Sequence, residues 1–271
     1  MFKYIGIRGH RGAGKNTISY LLGIAIDFYS RNNSWVDFDA VYEKAVERVM
    51  EDEDFLDESN FRSVFFEAFS DTPKIMLSQL IGIPSSYLYD DWLKDAVFVD
   101  MVDFSHKLAK DKLEASALKQ TLKPYSASTL KFMIDNEPNL LVNKQHVYIT
   151  LRELITYFSK YVMQSTFGKN VWVKALEVNR WENERFYTGS GKTIYKIFTD
   201  CKFPTEISYI KNNKGLIVKV NRYDNQKNET DFSEELLNDS RFDFEIDLDG
   251  NLLSTNTIDT IKSITLKIIN G

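Results

Sequence analysis

Residues Met1 to Ile26 constrain this chain more than any other stretch. Phe2, Tyr4, Ile5 and Ile7 mark a short apolar strand that runs into Gly9-His10-Arg11-Gly12-Ala13-Gly14-Lys15-Asn16-Thr17. Beyond the loop, Ile18, Leu21, Leu22, Ala25 and Ile26 recur at helical spacing. Strand, glycine loop, lysine and helix in that order are the setting of a phosphate-binding loop. Glycines let backbone N–H groups turn inward on an anion. The helix start adds its own N–H groups and the positive end of its dipole. Lys15 brings a mobile full charge for outer phosphates. Asn16 stands where the usual G-x-x-x-x-G-K-[ST] pattern has a hydroxyl, and Thr17 follows it. The alternative is a glycine-rich turn leading into an ordinary helix, and His10 reads as a loop residue.

A chain of 271 residues suits one large α/β domain, or a core with an inserted subdomain. Its net charge of −5 argues against a polybasic surface for nucleic acid. Cys201 is the only cysteine, which excludes an internal disulfide and points to a reducing compartment. No apolar run reaches membrane-spanning length, and Phe2 enters a strand with no leader ahead of it. The expectation is a soluble, cytoplasmic protein.

Further along, Val41, Ala45, Val46 and Val49 share one helical face, and Phe61 to Phe69 reads as the second core strand. Residues 34–59 then form an insertion. Ser70-Asp71-Thr72-Pro73 predicts a helix start, with Lys74, Met76, Leu77, Leu80 and Ile81 on the helix and a stop at Gly82. His106 to Lys119 reads as an amphipathic lysine-rich helix. Leu151 to Phe167 is a helix with Thr150 as N-cap and Glu153 at the capping-box position. A second helix follows over Val171 to Glu177, then a turn at Thr188 to Lys192. Strands at Ile194 to Thr199 and Leu216 to Val220 flank a helix ending near Ile210. Alternating strands and helices predict a parallel sheet.

Asp200-Cys201-Lys202-Phe203-Pro204-Thr205-Glu206 is a second anchor. A strand that ends on an aspartate puts that charge on the ligand-binding edge of an open α/β sheet. Lys202 reaches phosphate from the same edge, and Glu206 suits a helix N-terminus. The other reading is an acidic turn with a capping glutamate.

Four segments together resemble the bacteriophage deoxynucleoside monophosphate kinases, a branch of the P-loop nucleoside monophosphate kinases. Gly9 to Thr17 is similar to that family's G-x-x-x-x-G-K-D-T loop. Phe69 to Lys74 is similar to F-A-x-P-L-K. Leu151-Arg152-Glu153-Leu154 through Gly168 to Trp172 resembles R-x-L-L-Q-x-x-G-T and a downstream tryptophan. Thr199 to Glu206 resembles S-D-V-R-F-P-N-E, and Asp231 to Glu234 fits more loosely. The order holds over about residues 1–255. Asn16 replaces an aspartate, Thr156 a glutamine and Lys202 an arginine. Ser159-Lys160 stands where Gly-Thr is expected, a change that bears on base or sugar preference. The 34–59 insertion has no assigned counterpart.

The resemblance implies a P-loop NTPase-type parallel sheet flanked by helices, in one domain over 1–271, with a helical substrate-binding portion at about 75–190. It implies transfer of the γ-phosphoryl group of ATP to a deoxynucleoside 5′-monophosphate. Arg11, Gly12, Ala13, Gly14, Lys15, Asn16 and Thr17 would bind ATP, with Arg222 at the same sheet edge. Mg²⁺ would be held by Thr17, with Asp200 in its outer shell or on the acceptor base or sugar. Lys74 and Arg152 would take the acceptor phosphate, and Trp172 would stack near its base or lie in the core. Lys15, Lys202 and Arg152 are the expected catalytic residues. A homodimer is compatible with this reading, and neither a membrane nor a stable nucleic-acid complex is expected. Two other functions stay open: a P-loop kinase acting on a nucleic-acid 5′ end, and a nucleotide-binding module that does no chemistry.

Overall fold

A computed structural model describes residues 1–10, 12–51, 61–136, 146–178, 191–222, 242–248 and 251–271. The strands among them are β1 (Phe2–Arg8), β2 (Val64–Glu67), β3 (Val97–Asp100), β4 (His106–Leu108), β5 (Tyr148–Thr150), β6 (Ile194–Phe198), β7 (Leu216–Arg222) and β8 (Phe244–Leu248). Packing forms two compact units, one of residues 1–69 with 176–271 and one of residues 70–175.

The first unit is an α/β layer structure on a five-stranded sheet of order β2-β6-β1-β7-β8. All four neighbouring pairs are parallel. Parallel strands covered on both faces read as continuous apolar runs, and β6 is buried at every position. Lys196 of β6 joins that buried run because its ammonium meets Glu67 of β2, the pairing that a buried charge requires.

Side chains alternate between the faces of β1. Ile5 and Ile7 pack in one cluster with Ile18, Leu21, Leu22 and Ile26 of helix α1 (Lys15–Asn32). Ile261, Ile264 and Ile268 of the C-terminal helix (Thr255–Asn270) join the same cluster. Tyr4 points the other way and meets Tyr209 edge-on, beside the stacked rings of Phe69 and Phe198. Two elements here, β8 and the C-terminal helix, have no counterpart in the sequence-based expectation.

Helix α2 (Phe38–Glu51) occupies most of the 34–59 insertion. Its apolar face is not the expected one. Val41 is exposed, while Phe38 and Tyr42 are fully buried beside Ala45 and Val46. Aromatic packing sets that rotation: the Phe38 ring lies 5.3 Å from Phe28 of α1 and 4.8 Å from Trp35. The Tyr42 hydroxyl donates to the Leu252 carbonyl at 3.1 Å, and Lys262 reaches Asp39 at 2.7 Å. The insertion thus covers α1 and is tied to the C-terminal helix. Burial pushes the Tyr42 phenol pKa up.

The second unit holds α3 (Asp71–Ile81), a 3₁₀ turn at Ser85–Leu88, α4 (Asp91–Ala96), α5 (Lys112–Leu122), α6 (Ala127–Asn136) and α7 (Leu151–Thr156). It is not purely helical, because β4-β3-β5 form an antiparallel sheet within it. The helix expected over 106–119 is corrected accordingly. His106–Leu108 pairs with β3, and α5 starts only after Asp111, whose side chain accepts the Glu114 N–H at 2.8 Å. Helix α3 begins and ends as predicted, with Gly82 left-handed at its C-cap, although Leu80 is exposed.

The 151–167 stretch is helical throughout, but its middle, Tyr157–Gln164, is a π-helix. Thr150 caps the start as expected. Glu153 does not close the capping box. Its carboxylate accepts the Ala127 N–H at 2.8 Å instead, holding the start of α6. Residues 171–178 are helical. The turn expected at Thr188 to Lys192 and the Asp231 to Glu234 segment fall largely or wholly outside the described residues. No helix of the described residues is long and apolar enough to cross a membrane.

Thr265 of the C-terminal helix is fully buried, and its hydroxyl has no hydrogen-bond partner among the described residues. A buried hydroxyl without a partner costs stability. Thr265→Val keeps the shape and removes that cost, so it should raise unfolding free energy by about 1 kcal/mol. Urea midpoints of the two proteins check this, and a lower midpoint for the valine variant would contradict it.

Candidate functional site

β1 delivers its last residue, Arg8, to a loop that only particular residues can build. At Gly9 an added Cβ would sit 2.4 Å from the Val220 carbonyl oxygen of β7. No side chain fits there. The loop closes with the Ala13 N–H on the His10 carbonyl at 3.1 Å. Gly14 then takes a left-handed φ of 83° just ahead of α1, a conformation that costs other L-residues 1–2 kcal/mol by a rough estimate. A Cβ at Gly14 would also lie 2.9 Å from Leu248 of β8. The loop is therefore wedged against β7 and β8 and released straight into a helix.

No described side chain caps the start of α1, and its first turn holds no acid. Its leading N–H groups and its dipole present a positive end at this point. Lys15 lies in that turn. Its ammonium donates to the Gly9 carbonyl at 3.0 Å and the His10 carbonyl at 2.8 Å, across the mouth of its own loop. Gly12 and Asn16 are exposed, Ala13 is buried and Thr17 is half-buried.

The second anchor reaches the same place by strand pairing. β6 lies beside β1 with Phe198 opposite Gly6. Two residues further on, Arg8 and Asp200 leave the sheet at one edge. The Cys201 N–H continues the contact, donating to the Ile7 carbonyl at 3.0 Å. Asp200 Oδ1 accepts the Phe69 N–H at 2.7 Å. Glu206, in the first turn of α8 (Pro204–Asn212), is 6% exposed. One of its oxygens, Oε2, accepts the N–H groups of both Lys202 and Phe203, at 2.7 and 2.8 Å.

Burial, and then the nearby Asp200 charge, push the Glu206 carboxyl up to about 8. Its two N–H bonds and the Lys202 charge oppose that shift and are outweighed. Burial also drives the Cys201 thiol pKa well up, with Glu206 and Asp200 adding to it. Cys201 is consequently a neutral, packed thiol and not a nucleophile. Arg8, fully buried at the end of β1, pulls that thiol in the opposite sense.

One sheet edge therefore gathers Gly12, Ala13, Gly14, Lys15, Asn16, Thr17, Asp200 and Lys202. Arg222 ends β7 at that edge, and its side chain, like the whole of Arg11, lies outside the described residues. Among the described residues no three His, Cys, Asp or Glu side chains group as a metal cage. The Thr17 hydroxyl and Asp200 carboxylate are hard oxygen donors of the kind Mg²⁺ accepts beside nucleotide phosphates.

Lys74, Arg152 and Trp172 belong to the 70–175 unit. Lys74 and Arg152 share one chain of contacts there. The Lys74 ammonium lies 4.4 Å from the centre of the Tyr89 ring and 3.7 Å from Asp71. Lys94 donates to the Tyr89 carbonyl at 3.2 Å and to Asp91 at 2.9 Å. Arg152 Nη2 donates to the Asp91 carbonyl at 3.0 Å. Its Nε and Nη2 together grip Asp95, at 2.6 and 2.9 Å. Burial alone would lower the Arg152 pKa, but the Asp95 bond and charge and the Asp91 charge outweigh it and raise it.

Asp95 is the residue that sequence reasoning missed. The signal was present, since Asp91 and Asp95 stand four apart on one helix face. Trp172, expected near a base or in the core, is a core side chain. It is 6% exposed, clusters with Phe158 and Leu154, and its indole N–H has no acceptor among the described residues.

Glu206 gives this edge a pH signature. Between about pH 4.5 and about 8 the unfolded carboxyl is ionised while the native one keeps its proton. The native state then binds more protons, so stability falls as pH rises through that window and levels off above it. The loss should be on the order of 4 kcal/mol from this group. Glu206→Gln cannot titrate, so its urea midpoint should fall distinctly less than the parent's between pH 5 and pH 8. Parallel pH profiles for the two proteins would refute this.

No protein-family model matches this chain, and no curated protein matches it in sequence.

Proposed function

We propose that this chain transfers the γ-phosphoryl group of ATP to a deoxynucleoside 5′-monophosphate, in the cytoplasm. The observation that carries the reading is the meeting of a glycine loop, an uncapped helix N-terminus, Lys15, Asp200 and Lys202 at one edge of a parallel sheet. Such an edge is built to hold phosphate. It is also a topological switch point. The chain passes from β1 to β2 on one side, and later from β6 across to β7 on the other, the strand order that places ligands outside the carboxyl ends of the strands. Both features support a P-loop NTPase-type core.

Phosphoryl transfer asks for two anions held in line and for charge neutralised on the equatorial oxygens. In this reading Lys15 exchanges the Gly9 and His10 carbonyls for the β- and γ-phosphates, which the Gly12 to Thr17 amides cradle. Mg²⁺, held by Thr17 and nucleotide oxygens, would supply further neutralisation of the phosphate charge. Lys202 meets the charge that develops on the transferring group, as a point charge without the bidentate fork of an arginine. Lys74 and Arg152 take the acceptor phosphate. Asp95 fixes the Arg152 plane, and Nη1, which makes no described hydrogen bond, is the edge turned to a phosphate oxygen.

The same Asp95 pair favours a second reading, a nucleotide-binding module without transfer. A guanidinium already gripped on two nitrogens is a complete ion pair and needs no ligand. Turnover with a panel of monophosphates, each with ATP and Mg²⁺, separates the two. In that assay Lys15→Ala should lower kcat at least about a hundredfold, since charges on the transferring group are worth several kcal/mol. Activity within about threefold of the parent would remove the loop from the chemistry. Arg152→Ala should raise KM for the monophosphate roughly tenfold and leave KM for ATP within about twofold. An effect on ATP alone would move Arg152 to the donor side.

A further inference from the structure

We infer that Glu206 is a positioning residue of the candidate site: through its bonds to the Lys202 and Phe203 amides it fixes the segment that carries Asp200 and Lys202 at the sheet edge. The inference rests on the phosphoryl-transfer reading for its kinetic consequence, and on geometry for the rest.

A glutamate in the first turn ordinarily serves the helix, by accepting the N–H of the residue just before it. Glu206 does that for Phe203. The same oxygen also takes the Lys202 N–H, one residue further out. That second bond lies beyond the helix cap and adds nothing to the helix. It holds the irregular segment between β6 and α8.

Among the described residues this segment is pinned by the Thr199 amide on Glu67, Asp200 on the Phe69 amide, the Cys201 amide on Ile7, and the Lys202 and Phe203 amides on Glu206. The Glu67 and Ile7 contacts join it to β2 and β1. The Lys202 amide bond to Glu206 holds the backbone from which the Lys202 side chain departs. Burying a carboxyl beside a second carboxylate is costly, and an alanine in the first turn would incur no such cost. What the buried acid supplies is one fixed oxygen that accepts both N–H groups. In transfer chemistry a displacement of about 1 Å can cost about a hundredfold in rate, so a loosened Lys202 should be felt in kcat.

The test compares the parent with Glu206→Ala and Glu206→Gln. Gln keeps an oxygen acceptor of the same reach, so it is the rescue variant if the alanine protein folds poorly. Amide hydrogen exchange, read without substrate, should show Lys202 and Phe203 losing protection in the alanine variant and keeping it in the glutamine variant. With MgATP and the accepted monophosphate, Glu206→Ala should lower kcat at least tenfold at nearly unchanged KM for ATP, and Glu206→Gln should restore most of it. Unchanged protection at Lys202 in the alanine variant overturns the positioning role. So does a kcat that falls equally in both variants, or in neither. A parent that turns over no monophosphate overturns the transfer reading alone, because the exchange measurement still reads the clamp.

Discussion

β1 and β6 run side by side with Gly6 opposite Phe198, and the candidate site depends on that pairing. Parallel strands share a direction, so their carboxyl ends emerge together. The glycine loop after β1 and the acidic segment after β6 are separated by roughly 190 positions in sequence, yet they leave the sheet two residues apart in register. A one-residue slip would turn Ile5 and Ile7 away from α1, and Tyr4 toward it. The apolar cluster under α1 forbids that slip, so hydrophobic packing sets the geometry of a polar edge.

That edge tolerates an unusual load of buried polar groups. Glu206, Arg8 and Cys201 are each more than nine-tenths buried, and Asp200 stands beside them. Backbone amides take much of the load, through Asp200 on Phe69 and Glu206 on Lys202 and Phe203. The result is a segment without regular structure that is nonetheless held at several points. Lys196 and Glu67 show the simpler solution one strand away, a direct ion pair across the sheet. In the other unit the charges are organised differently. Lys74, Lys94 and Arg152 alternate with Asp71, Asp91 and Asp95 along α3, α4 and α7, so cations and acids balance locally. A phosphate arriving there would compete with aspartates, whereas at the sheet edge it would meet N–H groups and a lysine that donates to the Gly9 and His10 carbonyls.

Much was legible where the signal is local. The strand-loop-helix start, the α3 boundaries, the Thr150 cap and the β6 and β7 strands follow from spacing, turn residues and capping chemistry within a few positions. Errors fell where a distant partner outvotes the local pattern. His106 to Leu108 looks helical until β3 offers it a ladder. Glu153 stands in the capping-box position, but the free amide of Ala127 takes its carboxylate. Val41 belongs to a plausible apolar stripe, yet the rings of Phe38 and Tyr42 turn α2 by their greater buried area.

The residues alone place a glycine loop with Lys15 between a strand and a helix, and Asp200 at the end of another strand. Both rest on backbone rules that hold over a handful of residues: which residues tolerate positive φ, which start a helix, which alternate in a strand. Folding adds the pressure of Val220 and Leu248 on that loop, the hold of Glu206 on the Lys202 amide, and the closure of Arg152 on Asp95. Those contacts join residues up to roughly 230 positions apart. No local propensity encodes them, because they arise when separate elements compete to bury the same apolar surface and to satisfy the same N–H groups.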